Sequence, residues 1–177
     1  MKSLIIILLL FTMQSGWGQG TIPVSSTGVG DIKINMTQQQ VEKVTGKAIT
    51  LKTTSGESYE MDTILVNYKE IPVTILFYTV GGDETNKPLK KVYSITASHP
   101  SLQTRSGFTL GSDKFDIVKK LDGMNLTLQP DWNMQTKPDK AKYSVLMLTD
   151  GENGTMLIMY FENNKLTGFQ VTIDEGC

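Results

Sequence analysis

Two stretches of the chain share a pattern of polar and apolar positions that is typical of a short capped helix. The first runs from Thr37 to Gly46 and the second from Asp113 to Gly123. Thr37 and Asp113 can accept hydrogen bonds from the free N–H groups of a first helical turn, and glycine ends a helix readily because it accepts left-handed backbone. The residues on the two apolar faces are Val41 and Val44, and Ile117 and Leu121. We therefore predict two short helices that pack on other elements, since helices of this length are marginal alone.

After each helix, segments rich in Val, Ile, Tyr, Thr and Phe alternate with turn residues, which is typical of β-strands. The strands predicted after the first helix are residues 48–54, 59–68, 73–79 and 90–97. The strands predicted after the second helix are residues 125–129, 143–149, 155–161 and 166–173. His99 and Pro100 separate the two sets, because proline cannot donate to a sheet and restricts the residue before it.

The two halves of the chain look like copies of one unit. Thr37 and Asp113 are 76 residues apart (113 − 37 = 76), and the same offset separates Val41 from Ile117 (117 − 41 = 76). A fixed internal offset is the signature of a repeat. The sequence thus predicts an α+β fold of two tandem repeats, each a short helix packed on an antiparallel meander of about four strands. The predicted repeats are residues 31–98 and residues 107–177.

The N-terminus has the three parts of a cleavable secretory signal. Lys2 gives the positive charge, residues 4–13 form an apolar run, and Gly16 and Gly18 supply small residues before a cleavage site. We predict cleavage after Gly18. The predicted segments are a signal peptide at residues 1–18 and a flexible lead-in at residues 19–30.

The apolar run is about half the roughly 20 residues that a helix needs to cross a membrane. A lipid-modified protein would carry a cysteine just after the run, whereas the only cysteine is Cys177. We therefore expect an exported protein, periplasmic or secreted, that is soluble and not lipid-anchored. No membrane span is expected after cleavage.

Composition and charge exclude several classes of function. Lys and Arg number 17 against 18 Asp and Glu, with no basic stripe, so we expect no nucleic-acid partner. The only histidine, His99, cannot supply a multi-histidine metal site. The acidic residues of 150–154 fit a hairpin turn better than a calcium loop, which closes with a bidentate Glu. Without a Gly-x-Ser-x-Gly motif or a phosphate-binding glycine loop, the sequence predicts no metal, no cofactor and no enzyme activity.

Residues 145–148 and 156–161 are apolar at nearly every position, whereas a strand of a one-sided sheet should alternate. Either the helix and the other repeat cover the two faces, or one face is left for a partner. Methionine and tyrosine are common at protein-binding surfaces. The residues predicted to bind a partner are Tyr78, Trp132, Met147 and Tyr160.

Residues 35–46 and 111–123 share a cap-type residue, a β-branched residue four positions later and a glycine end. This pattern resembles the β-lactamase-inhibitory protein fold, whose two tandem repeats form a concave sheet. It is also similar to the small lipoprotein subunit of the outer-membrane β-barrel assembly machinery, which has one such unit. The resemblance implies a non-catalytic role. The disulfides of the inhibitor and the lipid-bearing cysteine of the assembly subunit are both absent here.

The repeat, the export signal and the lack of a catalytic motif predict a non-enzymatic, protein-binding module. It would present a sheet face to another envelope or secreted protein. The alternative is a carrier of a small apolar ligand held between the repeats, because strands that are apolar on both faces could also enclose a ligand. A hydrolase that uses His99 or the acidic residues is a third hypothesis.

Overall fold

The computed structural model of the chain describes residues 20–51, 61–80 and 89–176. The predicted signal peptide and Cys177 lie outside the described residues, and so do parts of the strands predicted at 48–54 and 59–68. The strands, in chain order, are β1 (Ile22–Ser25), β2 (Gly28–Val29), β3 (Ile32–Lys33), β4 (Met61–Tyr68), β5 (Ile71–Val80), β6 (Leu89–Ala97), β7 (Leu102–Thr104), β8 (Leu126–Pro130), β9 (Tyr143–Asp150), β10 (Thr155–Glu162) and β11 (Lys165–Ile173). The helices are α1 (Gln38–Thr45) and α2 (Lys114–Lys120).

The prediction of two repeats, each a helix on its own meander of four strands, is wrong. Seven strands form one antiparallel sheet in the order β4-β5-β6-β11-β10-β9-β8. β6 and β11 pair at its centre, with Ile95 opposite Val171. A second sheet of four strands has the order β3-β2-β1-β7. With these two sheets and two short helices, the described chain is mostly β. Local patterns set where strands lie, but not which distant strands share an edge.

The second sheet uses residues that the sequence assigned to a lead-in and to the join between repeats. β1 and β2 lie within residues 19–30, and β1 pairs in parallel with β7, placing Ile22 opposite Leu102. Residues 48–51, expected to begin a strand, have no regular structure. The lead-in is therefore part of the fold, because Val24 and Val29 are buried in the core.

Both predicted helices are confirmed, and they begin at the predicted caps. Thr37 Oγ1 accepts a hydrogen bond from the Gln40 N–H at 3.3 Å, and Gln40 Oε1 accepts one from the Thr37 N–H at 2.8 Å. This reciprocal pair is a capping box. The side chain of Asp113 caps α2, which ends at Leu121 and not at the predicted Gly123.

The short segments just before the two helices form backbone hydrogen bonds with β6 and β11, the central strands of the large sheet. The Asn35 N–H donates to the carbonyl of Val92 at 2.9 Å, just before α1. The Gly111 N–H donates to the carbonyl of Leu166 at 2.8 Å, just before α2. Each of these segments bonds to part of an edge of β6 or β11 that no other described strand uses, which pairs the backbone groups there.

Among the described residues, the main buried cluster lies on one side of the large sheet. Alternate residues of β5 are fully or nearly fully buried, as in Val73, Ile75 and Phe77. Val41 of α1, Ile117 of α2 and the residues of the small sheet belong to the same buried cluster. Both helices and the small sheet therefore cover one face. We call the other side of the seven strands the open face; its residues include Leu65, Thr74, Leu76, Tyr78, Ser94, Thr96, Met147, Ile158, Tyr160 and Gln170.

Candidate functional site

The open face carries two apolar areas with a polar band between them. One area is on β4 and β5, where Leu65 is 72% exposed and Met61 is 56% exposed. The other is on β9 and β10, where Met147 lies opposite Ile158. The central strands contribute hydroxyl and amide side chains, which are Ser94, Thr96, Gln170 and Thr172. Exposed apolar side chains beside polar ones are characteristic of surfaces that bind other proteins.

Three of the four predicted partner-binding residues lie on the open face. Tyr78 is on β5, Met147 on β9 and Tyr160 on β10, and all three are half-buried. Trp132 lies instead in a short 3-10 turn (Trp132–Met134) that follows β8, and its side chain is 68% exposed. The structure thus brings Met147 and Tyr160 onto neighbouring strands and places Tyr78 on the far half of the sheet.

Tyr78 is held in place by two contacts. Its ring packs edge-on against the ring of Tyr93, with 5.7 Å between centroids. Its hydroxyl donates to Asn35 Oδ1 at 3.2 Å, at the entrance to α1. An aromatic ring that is fixed in this way loses little conformational entropy when it binds a partner.

Tyr93 belongs to this face although strand alternation predicts otherwise. A bulge between β5 and β6 pairs Leu76 with Ser94 and Phe77 with Val92, so Tyr93 is the extra residue. Burial raises the pKa of the Tyr93 hydroxyl, and hydrogen bonding to Glu175 raises it further. No pattern in the sequence indicates the bulge, so Tyr93 is not among the residues predicted to bind a partner.

Tyr160 sits at the edge of a shallow pocket of about 380 Å³ on the open face. Its hydroxyl donates to Gln170 Oε1 on the neighbouring strand. Burial raises the pKa of Tyr160, and the negative charge of Asp131 adds to the effect. Asp131 is only 5% exposed and accepts from the Asn133 N–H at 2.9 Å, which starts the turn that carries Trp132. The pocket therefore joins Tyr160 to the Trp132 turn.

A separate cavity of about 320 Å³ lies between the two sheets, near the end of α2. We call it the inter-sheet cavity. Its apolar wall is formed by Val24, Phe108, Leu121, Leu148, Leu157 and Met159. Arg105, Ser106 and Met124 also line it. The sequence prediction placed an apolar ligand elsewhere, between two repeats.

The remaining polar candidates have structural contacts. His99 Nδ1 lies 2.8 Å from the Ser101 hydroxyl in the turn between β6 and β7. Asp150 begins the β9–β10 hairpin, as predicted, and accepts from the Ser26 hydroxyl at 2.7 Å. Across the described ranges, no group of three or more His, Cys, Asp or Glu side chains is placed to hold a metal ion.

The helices found in the described parts of the chain are too short or too polar to cross a membrane. Comparisons of the chain with protein families, with characterised proteins and with solved structures found no match.

Proposed function

We propose that the protein is an exported, non-enzymatic binding module whose open face docks another envelope or secreted protein. The observation that supports this most strongly is the exposure of Leu65 and Met61 on a sheet face that neither helix covers. Burying one large apolar side chain contributes roughly 1.5–3 kcal/mol. Two such residues on an uncovered face therefore favour association with a partner.

The form of the open face fits a protein better than a small molecule. Small ligands bind in enclosed, mostly apolar clefts, whereas this face is a wide sheet with a polar band between two apolar areas. Aromatic residues and methionine are enriched in protein interfaces relative to the rest of the surface. Tyr78 and Tyr160 each have an aromatic ring and a hydroxyl. Tyrosine is enriched among the few interface residues that contribute most of the binding free energy.

The N-terminal sequence also supports the proposal. The apolar run and small residues there favour export. The non-catalytic role remains a prediction from the sequence, which has one histidine and one cysteine.

The test is site-specific photo-crosslinking on envelope and secreted fractions of the source, followed by affinity measurement. A photoreactive residue at position 65 probes the open face, and one at position 115 serves as the control. Phe115 is 61% exposed on α2, on the covered side of the sheet. We expect one protein to crosslink through position 65 and not through position 115.

That protein is then purified and its affinity is measured for three variants. Tyr160→Ala and Leu65→Ala should each weaken binding about 30-fold or more, as hot-spot residues do. Phe115→Ala should bind as the wild type does. Wild-type affinity in both open-face variants would show that the partner docks elsewhere and would refute the proposal.

The alternative, a carrier of a small apolar ligand, cannot use a space between two repeats, because all seven strands belong to one sheet. A carrier of this kind would have to use another cavity, and the inter-sheet cavity is available for it.

A further inference from the structure

The inter-sheet cavity has a buried apolar wall and a solvent side with polar groups. Leu157 and Met159 of β10 are 4% and 1% exposed and form part of the wall. Arg105 and Ser106 are exposed in the turn that follows β7, and they line the same cavity. A cavity of this size, mostly apolar with a few placed polar groups, has the usual character of a small-molecule site.

Most polar groups around the cavity are already bonded. The Ser26 hydroxyl donates to Asp150 Oδ2 at 2.7 Å, and the Ser25 hydroxyl lies 3.1 Å from that of Thr27. Arg105 is different. It is the only arginine of the chain, and its guanidinium has neither an ion pair nor a hydrogen bond with the residues that the structure describes.

The uncommitted donors at the cavity are therefore the Arg105 guanidinium and the Ser106 hydroxyl. A guanidinium binds a carboxylate through two parallel hydrogen bonds, and the pair is stronger when part of it is removed from water. The nearby carboxylate of Asp150 does not line the cavity. An anion can thus approach Arg105 while its apolar part enters between the sheets.

We propose that the inter-sheet cavity binds a small amphipathic carboxylate, with a single apolar chain against Leu157 and Met159 and its carboxylate on Arg105. A water-sized group occupies roughly 30 Å³ in a liquid, so a cavity of about 320 Å³ suits a chain of about ten such groups. That matches a medium-chain fatty acid and is far too small for a two-chain lipid. This site is distinct from the open face and does not depend on the protein-binding function.

The solvent side of the cavity can adapt to such a ligand. Met124 lines it and is 53% exposed. Methionine is unbranched and flexible, so it can fold over a bound chain without strain. Met124 and Met159 also give the cavity two methyl groups that can be observed separately from those of Met61 and Met147 on the open face.

The test is a titration of the purified chain with sodium decanoate, below the concentration at which decanoate forms micelles, followed by NMR of ¹³C-labelled methionine methyls and by calorimetry. We expect shifts at Met124 and Met159, none at Met61 and Met147, and a dissociation constant of about 100 µM or tighter. Decanol has the same chain without the charge and should bind at least about tenfold more weakly.

Two charge variants complete the test. Arg105→Gln should weaken decanoate binding about tenfold to a hundredfold, because it removes a charge-assisted pair. Lys43→Gln removes the same charge from an exposed position on α1 and should leave binding unchanged. Both positions are exposed, so both variants should fold, and circular dichroism checks this.

The proposal is overturned if decanoate shifts neither Met124 nor Met159, or if the shifts appear at Met61 and Met147 instead. Equal binding of decanol and decanoate, or wild-type binding by Arg105→Gln, would overturn the assignment of an anion. Shifts at Met61 and Met147 would show that decanoate binds to the open face. The other results concern the inter-sheet cavity alone and leave the protein-binding proposal standing.

Discussion

Two charged residues of the large sheet, Asp62 and Lys90, are buried. Asp62 of β4 and Lys90 of β6 form an ion pair, and both side chains are less than a tenth exposed. Taking two charges out of water is costly, so such a pair contributes little net stability. Removing only one of the two side chains is destabilising, because the charge of the other stays buried.

Asp62→Ala should lower the free energy of unfolding by more than about 1 kcal/mol, because the buried Lys90 ammonium loses the carboxylate it pairs with. Urea denaturation followed by circular dichroism measures the change. Asp139→Ala is the control. Asp139 pairs with Lys142 at the surface, with the two side chains 63% and 47% exposed, so its loss should cost less than about 1 kcal/mol. Equal effects of the two substitutions would contradict the argument.

Single residues were predicted well where the cause is local. Thr37 and Asp113 cap their helices, and Val41 and Ile117 are fully buried, as the spacing indicated. Tyr93 is an exception, because a bulge in the pairing of β5 with β6 places it on the open face, against simple strand alternation. The bulge arises from the pairing of two strands, so the residues next to Tyr93 in the sequence do not indicate it.

At the scale of elements, the small sheet is anchored to the large one by Tyr68 at the end of β4. Tyr68 is 2% exposed, and its hydroxyl donates to Asp31 Oδ2 at 2.7 Å and accepts from the Asp31 N–H at 2.9 Å. The ring passes close to Gly30, where a Cβ atom would lie 2.5 Å from the Tyr68 hydroxyl oxygen. The turn between β2 and β3 therefore requires glycine for space as well as for its positive φ of 57°.

Gly30→Ala should destabilise the protein by about 2 kcal/mol or more, from left-handed backbone strain and from displacement of the Tyr68 ring. Gly111→Ala is a matched control, since Gly111 also has a positive φ but nothing within 4 Å of a built Cβ. It should show the backbone cost alone, about 1 kcal/mol. Thermal melts of both variants compare the two costs. A smaller loss at Gly30 than at Gly111 would show that Tyr68 does not anchor the sheet.

The small sheet could not be predicted from the sequence. Its strands have two to four residues, which is too short for alternation to be recognised. Its parallel contact joins residues far apart in the chain, Ile22 and Leu102. The long strands of the large sheet were predicted to within a few residues, because each one carries a full apolar pattern.

At the scale of the molecule, three bonded carboxylates link its parts. Asp31 accepts from Tyr68, Asp150 accepts from Ser26 in the β1–β2 turn, and Asp113 caps α2. The hydrogen bond from Tyr68 lowers the pKa of Asp31, and that from Ser26 lowers the pKa of Asp150. The Phe115 N–H lowers the pKa of Asp113. In each case the folded state favours the charged form.

A lowered carboxyl pKa stabilises the fold above the ordinary value of 3.8, and this stability is lost as the pH falls through the lower folded value. We therefore expect a nearly constant melting temperature near neutral pH and a decline below about pH 4. Amide exchange should rise first in β1 to β3, which depend on Asp31 and Asp150. In the double variant Asp31→Asn and Asp150→Asn, the decline should be shallower. An unchanged acid profile in that variant would contradict this assignment.

The overall architecture was the least predictable feature of the molecule. The offset that relates Thr37 to Asp113 correctly located two helix starts, but it suggested two separate meanders. The pairing of Ile95 with Val171 merges the strands into one sheet. Tyr78, Met147 and Tyr160 share a face because each lies on the side of its strand that faces away from the buried cluster. Trp132 lies in a 3-10 turn, and no periodic pattern in the sequence indicates which way the side chains of such a turn point.

The central position of β11 also sets the order of events during synthesis. β11 is the strand that joins β6 to β10, so β4 to β6 and β8 to β10 share no edge until residues 165–173 are available. Contacts between such distant segments form late and slowly. Residues 165–173 must therefore leave the ribosome before the large sheet can close. For an exported chain that crosses the membrane while it is being made, the large sheet would therefore close only after residues 165–173 have emerged on the far side.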